Sequence, residues 1–157
     1  MPAPTYTLID SVTLTSSASS VTFSSISQSF GDLVLSINAT SAAADQLYIQ
    51  FNDDTGANYS AVNVYNTTSN SLAGRTNANI TYGVNFPSLT TSHIMDYSAT
   101  DKHKTILSRP GSATTSVVGM NANRWASTSG ITKIVITGFA SMTAGSTFFL
   151  YGIAKAL

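Results

Sequence analysis

No cysteine and no glutamate occur in the 157 residues, and all seven acidic side chains are aspartates. Without cysteine there can be no disulfide framework and no thiolate metal site, and the redox compartment is not legible. Charged residues make up only 9% of the chain, against roughly 25% in ordinary soluble domains. Helix surfaces normally draw on Glu, Lys and Arg, so helices are poorly provided for. Apolar runs extend over only a few residues, too short to cross a bilayer as a helix. Formal net charge is zero and the largest basic grouping is the pair Lys102 and Lys104, so the electrostatic footprint that nucleic acid demands is missing.

What is abundant is Ser, Thr and Asn together with Val, Ile, Tyr and Phe, a mixture that suits strands joined by polar turns. A chain of this length fits one domain and can bury roughly two thirds of its unfolded surface. A neutral, weakly charged surface does little to discourage association and suits a subunit packed into an assembly. The start Met1-Pro2-Ala3-Pro4 has neither a basic n-region nor an apolar h-region, so no secretory signal is expected. The sequons at Asn38, Asn58, Asn66 and Asn79 are then expected to stay bare.

Residues 32–60 organise the chain. Leu33, Leu35 and Ile37 alternate with Val34, Ser36 and Asn38, and Leu47, Ile49 and Phe51 alternate with Tyr48, Gln50 and Asn52. Period two marks half-buried strands. Ahead of them, Pro2 and Pro4 hold the first residues extended and out of a sheet interior. Residues 1–5 therefore read as an arm and 6–157 as a single sandwich domain. Residues 6–14 form a first strand with both faces partly apolar, and Val21-Thr22-Phe23 a short one, followed by a polar connection anchored by Ile26 and Phe30.

Residues 61–66 alternate again and are expected to return as the hairpin partner of 47–52, across a turn rich in Asp, Gly and Asn. From 67 to 87 periodicity fails, which reads as a long irregular crossover between sheets. Strands are expected at 92–98 and 104–109 around a turn at 99–103, with Pro110-Gly111 ending the second. Residues 117–122 lead to Trp125, 131–137 is the strongest β-branched run, and 147–154 is apolar on both faces, which places it centrally in a sheet. The expectation is an all-β fold: an antiparallel two-sheet β-sandwich, jelly-roll-like, of eight to ten strands.

Three constellations invite a chemical reading. Asn52, Asp53, Asp54, Gly56 and Asn58 gather oxygen ligands suited to a hard cation. Asp and Asn also populate turns by bonding nearby backbone, and a structural turn with Gly56 at positive φ is preferred. Ser92, His93 and Asp96, with Asp101 and His103 nearby, contain triad residue types, but neighbouring strand residues point to opposite faces and cannot form a relay. Trp125, Tyr59, Tyr65, Tyr82 and Tyr97 could make a sugar platform, or could pack at sheet ends and under loops. No catalytic, cofactor or metal site is assigned, and no enzyme is expected.

Residues 32–35 (Asp-Leu-Val-Leu), 47–60 with its Asn-Asp-x-x-Gly-x-Asn-Tyr turn, 94–97 followed by Lys102-His103-Lys104, and the ending Phe149-Leu150-Tyr151-Gly152-Ile153-Ala154 resemble a β-sandwich domain of tailed-bacteriophage virion proteins. In that family the domain serves capsid decoration (cement) proteins and head or tail fibres. The resemblance implies a structural virion protein, assembled in the host cytoplasm, that binds the major capsid protein and needs no cofactor. A chain that is almost all sandwich is similar to a decoration protein. The alternative is a fibre receptor-binding domain, for which the partner would be a host-surface glycan. Local three-fold positions of icosahedral shells imply a homotrimer, and Pro2, Ala3, Pro4, Thr5 and Tyr6 are the expected capsid or subunit contact arm.

Overall fold

The period-two segments become strands wherever one face can be buried. A computed structural model of the chain describes residues 4–41, 43, 46–66, 68–81, 87–114 and 116–155. Among them are β1 (Tyr6–Thr13), β2 (Ala18–Phe23), β3 (Asp32–Ala39), β4 (Leu47–Phe51), β5 (Tyr59–Tyr65) and β6 (Thr68–Arg75). They continue with β7 (Ala78–Asn79), β8 (Ser88–Met95), β9 (Lys104–Ser112), β10 (Gly119–Trp125), β11 (Ile134–Met142) and β12 (Thr147–Ile153). The strands form two antiparallel sheets, one in the order β1-β12-β3-β8-β9-β10-β5-β6 and the other β2-β11-β4-β7. The chain crosses between the layers at each step from β1 to β5, again at β6–β7–β8 and at β10–β11–β12, while β5–β6 and β8–β9–β10 stay in the larger sheet, crossovers of the kind a jelly-roll-like sandwich uses.

The core lies between the sheets. Leu33, Leu35, Ile37, Phe148 and Leu150 from the larger sheet and Leu47, Ile49, Phe51, Ile134 and Ile136 from the smaller one are all fully buried in one cluster. Truncating any of them to Ala removes about 2–5 kcal/mol. Ile26 is buried in the same cluster and Phe30 packs against it. β12 has β1 on one side and β3 on the other, an interior strand next to the edge of the sheet and not at its centre.

Four expectations are corrected. β4 and β5 are not a hairpin: β4 pairs with β11 and β7, and β5 with β10 and β6. The reason lies in the turn, where Asn52 donates from Nδ2 to the Gly130 carbonyl at 2.8 Å and accepts at Oδ1 from the Thr132 and Lys133 N–H groups. Those bonds tie the turn to the segment before β11, and the chain swings from one sheet to the other. Residues 67–87 are not an unbroken irregular crossover, since they hold β6 and β7. β6 is the sheet edge and is mostly exposed, so it never developed an alternating apolar pattern; with β7 it takes the count to twelve strands. Pro110 and Gly111 lie inside β9; pairing of β9 with β10 stops at Ser108, which leaves room for a residue without an N–H. The β-branched run enters its strand only at Ile134, Ile131 being buried outside it with its N–H on the Tyr97 carbonyl.

The two-faced first strand has a geometric cause. A bulge between Leu8 and Asp10 shifts the pairing of β1 with β12. An extra residue in one strand exchanges its faces. Tyr6 and Leu8 thus point outward, 57% and 52% exposed, while Ile9 and Val12 pack on the core.

Candidate interaction surface

Each strand of the larger sheet turns one face away from the core, and the registers line these outward residues up. Leu8 lies opposite Tyr151, Tyr151 opposite Val34, and Val34 opposite His93. His93 continues to Leu107, Leu107 to Ala122, Ala122 to Val62, and Val62 to Ser71 at the edge. One row thus crosses all eight strands, and six of its eight members are apolar. Val62 is 53% exposed, and Ala122 is exposed while Val34, Leu107 and Tyr151 are half-buried. On neighbouring rows Val64 lies opposite Met120, both exposed, and Phe149 opposite Ser36. A solvated sheet face normally alternates to polar residues.

Charge on this face is sparse and divided. Asp32 sits on β3, where its Oδ2 meets His93 Nε2 at 2.9 Å and its Oδ1 accepts the Asp96 N–H. Arg109 and Arg124 stand exposed on β9 and β10, and neither guanidinium has an ion pair or hydrogen bond with a described residue. Around Val62, Leu107 and Ala122 the surface dips into an open apolar concavity of about 450 Å³.

The other candidates become structural. Ser92 is buried and hydrogen-bonded to Ser108 on β9, on the face opposite His93, so Ser92, His93 and Asp96 are not brought together. Asp101 and His103 are exposed in the β8–β9 turn. Lys104 is buried, its Nζ donating to the carbonyls of Ala99, Lys102 and Thr128, and burial lowers its pKa. Among the described residues no group of three or more His, Cys, Asp or Glu could hold a metal ion.

In the turn after β4 the expected oxygen ligands already serve donors. Asp54 accepts from Trp125 Nε1 at 2.6 Å, from the Gly56 N–H and from Asn58 Nδ2, and Asp53 pairs with Lys133 at 2.8 Å. The positive φ falls on Asn52 and Asp53 and not on Gly56. That expectation is corrected: what a side chain at Gly56 would disturb is the pair beside it, since a Cβ there would stand 2.8 Å from Asn58 Nδ2 and 3.0 Å from Asp54 Oδ1.

Of the two readings of the aromatics, packing holds for three of the five. Trp125, Tyr59 and Tyr97 are buried, with Trp125 ring contacts to Phe51 and Tyr59 at 5.4 and 6.4 Å. Tyr65 is half-buried, and Tyr82 lies outside the described residues. Pro2 and Ala3 of the expected arm also lie outside them. Pro4 is exposed, the Thr5 carbonyl accepts the Ala154 N–H, and Tyr6 pairs with Ile153 as the first residue of β1. Thr5 and Tyr6 are therefore held at the sheet, with the Tyr6 ring free on its outer face.

The outward row was hidden in the sequence by its construction from seven pairings. Its only local signal was the apolar choice at second-face positions such as Val34, Val62 and Leu107.

No family model matches the chain and no curated protein matches it. Among solved structures it is similar to that of Caenorhabditis elegans galectin LEC-6, at 12% identity and a TM-score of 0.43, over 92% of this chain and 96% of the other.

Proposed function

We propose that this chain is a structural virion protein, a capsid decoration protein that binds the major capsid protein of a tailed phage and reinforces its shell without catalysis. The observation that carries the reading of the chain as an assembly subunit is the apolar row across the outer face of the eight-stranded sheet. Exposed apolar surface of such extent marks a face that other protein covers in the working assembly. A charged fraction of 9% and zero net charge point the same way, since little charge must be stripped of water on lasting burial.

The resemblance of residues 47–60 and 149–154 to tailed-phage sandwich domains supplies the class of assembly. The expected contact arm, Pro2 to Tyr6, would add to this contact, its prolines lowering the entropy lost on ordering. Copy number in purified virions tests the reading. Hundreds of copies per particle are expected; a handful, confined to the tail, would replace it with the receptor-binding fibre domain.

A further inference from the structure

We infer that the outer face of the eight-stranded sheet is covered by a second copy of this chain, packed face to face about a two-fold axis that runs along the strands between β8 and β9. The inference rests on the reading of the chain as an assembly subunit and names what buries its main apolar surface. Three features select this occupant.

The first is extent. Eight strands at about 4.8 Å spacing and three rows of outward residues cover roughly 700 Å², close to the roughly 800 Å² per partner of a stable interface.

The second is charge. Asp32 lies on one half of the face and the unpaired Arg109 and Arg124 on the other. An axis along the strands exchanges the two halves, so that β3 of one copy faces β10 of the other. Asp32 and Arg124 also stand at the same height: Ile153 pairs with Asp32, and Leu33 with Ile94, while the residue after Ile94, Met95, pairs with Thr105 and Thr105 with Arg124. Arg124 of each copy therefore meets the partner's Asp32 carboxylate, whose oxygens keep lone pairs beyond those used by His93 and the Asp96 N–H, while Arg109, in the row of Thr91 and Ser36, faces Thr91. An axis across the strands would instead set arginine against arginine.

The third is shape. The same operation lays Tyr151 over Val62 and Val34 over Ala122, large against small, as interlocking layers require. The contact is self-complementary, the condition for a two-fold pair, and it replaces the three-fold association that shell symmetry implied.

The experiment is mass measurement of the full chain by sedimentation, with variants on the exposed face. The wild type is expected at twice its 16.4 kDa, and Val62→Asp and Arg124→Glu are expected to weaken the dimer by about tenfold or more with an unchanged far-ultraviolet circular dichroism spectrum. Since the chain has no cysteine, Val34→Cys and Ala122→Cys report the axis: a short bis-maleimide should link the two variants when mixed, and neither one alone. Efficient linking of Val34→Cys to itself, a trimer, a monomer, or a dimer indifferent to Val62→Asp would overturn the inference. A monomer that still reaches hundreds of copies per virion would do so while leaving the decoration reading standing, and a dimer missing from virions would do the reverse.

Discussion

Trp125 donates its indole N–H to Oδ2 of Asp54 at 2.6 Å, joining the end of β10 to the turn that carries the chain from the smaller sheet to the larger. Partial burial pushes the Asp54 carboxyl up, but hydrogen bonds from Trp125, Asn58 and Gly56 outweigh it and hold the pKa below 3.8. The carboxylate thus contributes stability that is present above the unfolded value and is lost as pH falls through the folded one. Melting of the wild type should drop steeply below about pH 4, and Asp54→Asn should be less stable at neutral pH with a shallower acid slope. Equal acid slopes would show that Asp54 is not the group that titrates.

Gly56→Ala should destabilise the fold through contact alone. Its Cβ would meet Asn58 Nδ2 at 2.8 Å, the free end of an exposed side chain, which swings aside and gives up its bond to Asp54 at a cost of about 1 kcal/mol or less. Removing the amide first, in Asn58→Ala, should cancel most of that penalty, and a chelator should leave the melting temperature of both proteins unchanged. A drop on chelation would mean that a cation, and not the N–H donors, neutralises the turn.

Legibility followed burial. β3, β4 and β12 could be read residue by residue because each buries one complete face, so that Leu33, Leu35 and Ile37 announce themselves by period two. β6 could not, because an edge strand with one neighbour buries too little to impose a pattern. The partner of β4 was hidden for a different reason: Asn52 bonds to Thr132, 80 residues away, and no local turn rule contains that contact. The outward row is legible only after strand order is known, since Leu8 and Ser71 belong to opposite edges of the sheet.

Gly152→Ala tests a second close approach. The Phe30 ring lies over Gly152, and a Cβ there would stand 2.3 Å from its Cγ. The ring must leave, at a cost of about 1–3 kcal/mol. In a double-mutant cycle with Phe30→Ala the two penalties should be strongly non-additive; additive penalties would mean that the glycine serves the strand backbone itself.

Tyr59 governs the alkaline limb. Desolvation, with a smaller push from the Asp54 charge and against the Phe51 N–H bond to its oxygen, raises its pKa to about 12. A phenol whose folded pKa lies above the unfolded 10.0 keeps its full contribution below pH 10 and loses it as pH rises through 12. Stability measured by denaturant titration should fall across that window, and Tyr59→Phe should lessen the fall while costing about 1–3 kcal/mol at neutral pH, because the Phe51 N–H loses its acceptor.

Asn63 carries a cost that the fold can shed. Its side chain is fully buried between the sheets, and neither Oδ1 nor Nδ2 finds a hydrogen-bond partner among the described residues. The Oδ1 atoms of Asn121, its neighbour in register, and Asn123 are also unpartnered, although their Nδ2 atoms donate to the carbonyls of Ile80 and Asn79. Leaving a buried amide unpaired costs about 1–3 kcal/mol, so Asn63→Leu, similar in volume, should raise the denaturation midpoint at an unchanged denaturant slope. Asn121→Leu should lower it, since there a hydrogen bond to Ile80 is lost. A fall for Asn63→Leu as well would show that ordered water satisfies the amide, in keeping with the way buried polar clusters are hydrated.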